Sequence, residues 1–189
     1  MPIRSALKEQ YHAALAMMED CVAKCPDDLW TAPSRSDPYE DAPGRCCTRS
    51  FWRIAFHGIY FTHLYMGQSV EDFEPPTNLL MGVREDFKGL WDKSWDLDPF
   101  EIPEGVEPVS REEMIQYLRW VDSRVDPTLD GLDLDSQESG IPWYKKFPKL
   151  NHELLTLRHL QGHVGQLSEL LMAREIDSDW VSRVKPSGA

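Results

Sequence analysis

The sequence predicts an all-α protein built as a four-helix bundle, with a long connection between the second and third main helices. Three observations predict it. Four long segments carry apolar residues at three- and four-residue spacing, no segment shows a convincing strand pattern, and proline- and glycine-rich stretches separate the four. Bundles of this kind build cofactor sites from side chains on facing helices.

The first helix is read from Ile3 to Cys25, with Leu7, Ala14, Leu15, Met18 and Val22 on one face and Pro26 as its stop. Asp27 to Arg45 contains Pro33, Pro38, Pro43 and Gly44 and reads as a loop. Thr48 or Ser50 would cap a second helix over Phe51 to Met66, with Gly67 as its C-terminal stop. Phe51, Trp52, Phe56, Tyr60, Phe61 and Tyr65 wrap more than one face of it, which predicts a central, mostly buried element. Ser69 to Val109 is rich in proline and acidic residues and reads as a crossover with a short helix near Asn78 to Trp91.

Ser110 and Glu113 form a capping box for a third helix that runs to Pro127. Thr128 to Lys149 reads as a loop whose Trp143, Tyr144 and Phe147 cover one end of the bundle. The last helix is read from Asn151, as N-cap, to about Glu175, and Val184 to Ala189 as a frayed end. One domain over residues 1–180 with a tail over 181–189 suits a chain of 189 residues.

Twenty Lys and Arg stand against 32 Asp and Glu, for a net charge of −12. That balance disfavours nucleic-acid and anionic-membrane partners, and no Lys/Arg-rich stripe or phosphate-binding glycine loop opposes it. The charged N-terminus lacks a signal-peptide core, and no apolar run is long enough to span a bilayer, so a cytoplasmic protein is expected. Four cysteines fit that address better than a disulfide scaffold. Cys21 and Cys25, one helical turn apart, could support a metal or redox pair, but two small buried apolar side chains is the better reading. Cys46 and Cys47 lie in a polar loop and would be reactive if exposed.

His159 and His163 stand four residues apart, on one helix face with Cβ atoms about 6 Å apart. Two imidazoles so placed can grip one ion, although two hydrogen-bonded histidines at a core edge share the same spacing. His57, in the middle of the aromatic helix, is the best third ligand. Three histidine ligands would leave positions open, as in a catalytic rather than a structural zinc site; nickel, iron, copper and manganese also accept imidazole. His152 lies about 10 Å along the axis from His159, and His63 is turned about 240° from His57. Those two and His12 are read as structural or exposed.

The stretch Arg158-His159-Leu160-Gln161-Gly162-His163-Val164-Gly165-Gln166-Leu167, with Trp52-Arg53-Ile54-Ala55-Phe56-His57 before it, resembles the two signature helices of the DinB-like superfamily. The resemblance covers nearly the whole chain, because helix count, the long second connection and the order of the histidines agree. It implies a DinB-like bundle, commonly dimeric, with His57, His159 and His163 as ligands of a divalent ion, zinc or nickel first, facing a pocket. Gly162 departs from the family's histidine-richer pattern. Its helix cost of about 1 kcal/mol predicts tight packing there, and Gln166 is a candidate orienting neighbour.

Similar families include thiol-dependent S-transferases and a thiol-dependent isomerase. The resemblance therefore implies a metal-dependent enzyme that activates a low-molecular-weight thiol against a small electrophilic substrate, with no internal nucleophile required. A metal-dependent hydrolase using water is the near alternative, and a non-catalytic metal-binding or sensing module the alternative of another class. No carboxylate follows a ligand at the spacing of a dedicated general base.

Overall fold

The computed structural model describes residues 3–32, 50–93 and 105–184, and within them the protein is helical with no strand. α1 (Ile3–Lys24) buries Leu7, Tyr11, Leu15, Met18 and Val22 on one face. A four-residue helix, α2 (Asp27–Trp30), follows Pro26 within the stretch expected to be loop. Its Trp30 indole donates to the Val109 carbonyl at 2.8 Å, fastening it beside the start of a later helix. Cys46 and Cys47 lie outside the described residues.

α3 (Phe51–Met66) spans the range expected from its sequence and is the central element: of its residues, only Arg53 and Phe61 are not buried. Its ends differ from expectation. Ser50 occupies the cap position without a side-chain cap hydrogen bond, and Gly67 is extended (φ −69) rather than left-handed. Gly67 ends α3 by another device, because the buried Lys149 ammonium donates to its carbonyl and to that of Ser139 at 3.1 Å. A cation at the carbonyl end of a helix satisfies an orphan acceptor and complements the dipole.

The long connection after α3 holds short 3-10 turns at Met81–Val83 and Glu85–Phe87 and then α4 (Lys88–Lys93), in place of one continuous helix from Asn78. Phe87 and Trp91 pack their rings on Phe56 of α3, and Trp91 also on Tyr60. Burying side chains of this size contributes about 1.5–3 kcal/mol each. α5 (Arg111–Gly131) begins at the expected capping box: Ser110 Oγ accepts from the Glu113 amide and Glu113 Oε2 from the Ser110 amide. The helix does not stop at Pro127 but carries it in the last turn. There a proline removes one backbone donor, while Val125 and Leu129 on either side are fully buried and hold the turn.

α6 (Lys149–Met172) starts two residues before Asn151, which lies inside it and is exposed. Contacts between side chains fix the directions. Tyr65 meets His152 while His57 meets His163, so α6 runs antiparallel to α3. Tyr11 meets Glu153 and Cys21 meets Ser168, so α6 runs parallel to α1. The four long helices share one core in this way. Trp143 and Tyr144 lie against Tyr65 where α3 ends and α6 begins. After α6 the chain follows α1, with the Gln10 amide donating to the Ser182 carbonyl and the Val184 amide to that of Glu9.

Candidate metal centre

His57 comes from the middle of α3, and His159 and His163 from successive turns of α6. Their ligand atoms all lie within 4.8 Å of one another. His159 Nε2 is 3.1 Å from His57 Nε2 and 3.0 Å from His163 Nε2. Nitrogens about 2.0–2.1 Å from one zinc ion in tetrahedral directions stand about 3.3 Å apart, and both separations from His159 fall within a few tenths of an ångström of that spacing. His57 and His163 are buried and His159 is half-buried. Three histidines this close together could hold a metal ion.

Gly58 makes the approach possible. A Cβ at this position would lie 3.0 Å from the Met18 methyl and 3.2 Å from His163 Cβ, so the missing methyl group brings α3 close to α6 beside the ligands. The signal available in the sequence was a glycine in the middle of a helix directly after a histidine. Gly162 behaves in the opposite way: it is exposed and an added Cβ would meet nothing within 4 Å, so the tight packing expected there is absent. Its position on the outward face of α6 leaves it no neighbour to pack against.

Burial pushes the His57 imidazolium down to about 2, with further repulsion from His163 and His159. Burial and then His163 bring His159 to about 4. His163 is lowered by burial, against a hydrogen bond with Gln166 that favours its charged form. All three rings are therefore neutral at pH 7, the form that binds metals. Gln166, exposed on α6, has its Oε1 2.8 Å from His163 Nδ1, close enough to orient that ring. Phe61 packs 4.6 Å from the His57 ring centroid and 6.0 Å from that of His159, and Tyr65 lies 6.2 Å from His159. These rings line one side of the centre, and Trp143 Nε1 donates to the Tyr65 hydroxyl at 3.2 Å.

The other histidines stay out of the centre. His63 points to the far side of α3, pairs with the Tyr117 hydroxyl at 2.9 Å and borders a separate cleft of about 410 Å³ with Trp120 and Arg124. His12 lies between Asp122 and Asp126 of α5, at 2.6 and 3.3 Å. His152 is fully buried against Tyr65 and Tyr144. Cys21 and Cys25 are buried, and burial raises both thiols, Cys25 to about 12, so neither is a reactive thiolate.

Sequence reasoning missed a second polar group, Lys149, Glu153 and Tyr11, all fully buried. Glu153 Oε1 lies 3.3 Å from Lys149 Nζ, and the Tyr11 hydroxyl donates to Glu153 Oε2 at 2.7 Å. A signal existed, because Glu153 stands seven and fourteen residues before the core residues Leu160 and Leu167 and so falls on the apolar stripe of α6. No family model, no curated protein and no solved structure matches the chain.

Proposed function

We propose that this protein is a DinB-like four-helix bundle in which His57, His159 and His163 bind one divalent ion, zinc or nickel before iron, manganese or copper. On this reading it is an enzyme that activates a low-molecular-weight thiol, or water, against a small electrophilic substrate. The observation that carries the reading is the convergence of three neutral imidazole nitrogens from two helices, 3.0 and 3.1 Å apart along the set. A bound divalent ion supplies Lewis-acid chemistry, lowering the pKa of a thiol or water.

The chain's own residues do the rest. Three uncharged donors leave the ion's positive charge undiminished, unlike a set containing carboxylates or thiolates, and three protein ligands leave a position open. Gln166 orients His163. Phe61 and Tyr65 keep water from one side of the centre, which strengthens electrostatic interactions inside it. The net charge of −12 draws cations towards the protein and repels nucleic-acid and anionic lipid surfaces, consistent with a small-molecule substrate and a cytoplasmic address. No described helix is long and apolar enough to cross a membrane.

Elemental analysis of untagged protein tests the reading. Near-stoichiometric zinc or nickel in the wild type, lost when His159→Ala and His163→Ala are combined, is the expected result. Absence of metal after incubation with zinc, nickel and manganese would sink it. A screen of thiols against small electrophiles, run beside ester and amide substrates, then separates S-transfer from hydrolysis, and lack of turnover in both leaves a binding or sensing module. The homodimer implied by the family resemblance is tested by sedimentation.

A further inference from the structure

The three rings of the centre differ in what stands behind them. An amide oxygen only accepts, so the contact between Gln166 Oε1 and His163 Nδ1 at 2.8 Å places the His163 proton on Nδ1 and a lone pair on Nε2. His159 Nε2 lies 3.0 Å from that lone pair. Two lone pairs do not face each other at such a distance, so His159 Nε2 carries the proton and donates, with His57 Nε2 a second acceptor at 3.1 Å. His159 Nδ1 is buried with no hydrogen-bond partner among the described residues.

To act as a ligand through Nε2, His159 must first lose the proton from that atom. The only other place for it on a neutral ring is Nδ1, where no acceptor stands among the described residues. His163 needs no such change. We propose that Gln166 is the positioning residue of the centre, presetting His163 as a ligand, and that His159 is its exchangeable arm, joining only when its ring proton has moved from Nε2 to the unpartnered Nδ1. The proton count is unchanged, since one proton leaves one nitrogen of the ring and one arrives at the other. This inference rests on the metal-binding reading above and goes further, because it ranks ligands that the spacing of the sequence treats alike.

Long-range nitrogen–proton NMR of the histidine rings reads the tautomers directly, in zinc-free protein and after addition of zinc. The expected result is a zinc-free state with His163 protonated on Nδ1 and His159 on Nε2, in which zinc moves only the His159 proton. Chelator competition supplies the second readout. Gln166→Leu should weaken zinc binding about 10- to 100-fold, the usual cost of losing an orienting partner, while Gln166→Glu, which can only accept, should hold or tighten it. The urea midpoints of the zinc-free variants should match the wild type, because Gln166 is exposed. A His159 proton already on Nδ1 before zinc is added, or a leucine variant that binds zinc like the wild type, overturns the proposal and leaves the metal centre standing. Rings unmoved by zinc overturn both.

Discussion

Gly58 follows the candidate ligand His57 directly, and the space it leaves is filled by Met18 and His163. Replacing it with alanine sets two effects against each other. Alanine favours a helix interior by about 0.5–1 kcal/mol, and the Met18 methyl end can swing aside, but the backbone-bound His163 Cβ must retreat by a few tenths of an ångström. Gly58→Ala is therefore expected to stay within about 1 kcal/mol of the wild type in urea denaturation while zinc affinity falls about tenfold. Unchanged affinity in that variant would show that the ligand spacing does not depend on this close approach. The residue scale was the most legible from sequence. The four-residue spacing of His159 and His163, and the six-residue offset that turns His63 away from His57, are consequences of helix geometry alone. What spacing could not show was the burial that keeps the rings neutral, or the missing methyl group, since both depend on the neighbouring helix.

Lys149 joins three elements, because its ammonium meets the last turn of α3, the connection at Ser139, and Glu153 one turn further along α6. Burial pushes the Glu153 carboxyl up, to about 7, and the Lys149 ammonium down, while each opposes the other's shift. Two backbone carbonyls hold the ammonium and Tyr11 donates to Glu153 Oε2, while Glu153 Oε1 faces the ammonium at 3.3 Å as an ion pair without a hydrogen bond of its own. Lys149→Met leaves the carboxylate without its cation and should cost roughly 3–5 kcal/mol at pH 8, measured by urea denaturation. Adding Glu153→Gln to it should restore part of that loss; a double variant less stable than the single would contradict this account. At the other end of α6 the Ile176 amide donates to Leu171 and the Glu175 amide to Met172, closing a Schellman turn with Glu175 at φ 59. Glycine adopts that conformation without a Cβ clash, so Glu175→Gly should stabilise the protein by about 0.5–1 kcal/mol, and a lower melting temperature would refute the assignment. Strong local signals, such as the Ser110–Glu113 box and the aromatic density of α3, made their elements legible. The ends of α5 and α6 were misread because core contacts carry the chain past Pro127, and because the buried Lys149 begins α6 before the polar Asn151.

Over the whole molecule, four buried histidines and the half-buried His159 are neutral rings, and burial is the largest cause of each lowered pKa: His57 to about 2, His63 to about 3, His152 and His159 to about 4, and His163 in the same direction. In the unfolded chain each returns to about 6.5. Below that value the unfolded state binds protons that the folded state refuses, so the stability these rings contribute is whole above pH 6.5 and is lost as the pH falls towards the folded values. Two groups act differently. Glu153, raised to about 7, takes up its proton in the folded state first and offsets one histidine, whereas His12, raised chiefly by its hydrogen bond to Asp122, is protonated in both states in this range. The four rings held at about 4 or below, less Glu153, leave a net difference of about three protons, roughly 4 kcal/mol per pH unit once the pH is well below 6.5. Against a total stability of about 5–15 kcal/mol, such a slope unfolds a zinc-free protein at the lower end of that range near roughly pH 5. Circular dichroism at 222 nm over a pH series checks this, and a helix signal with an unchanged urea midpoint down to pH 4 would mean that the rings are not buried as neutral bases. Saturating zinc should raise the urea midpoint at pH 7 and leave a steeper loss on acidification, because protons must then displace the ion as well as unfold the chain.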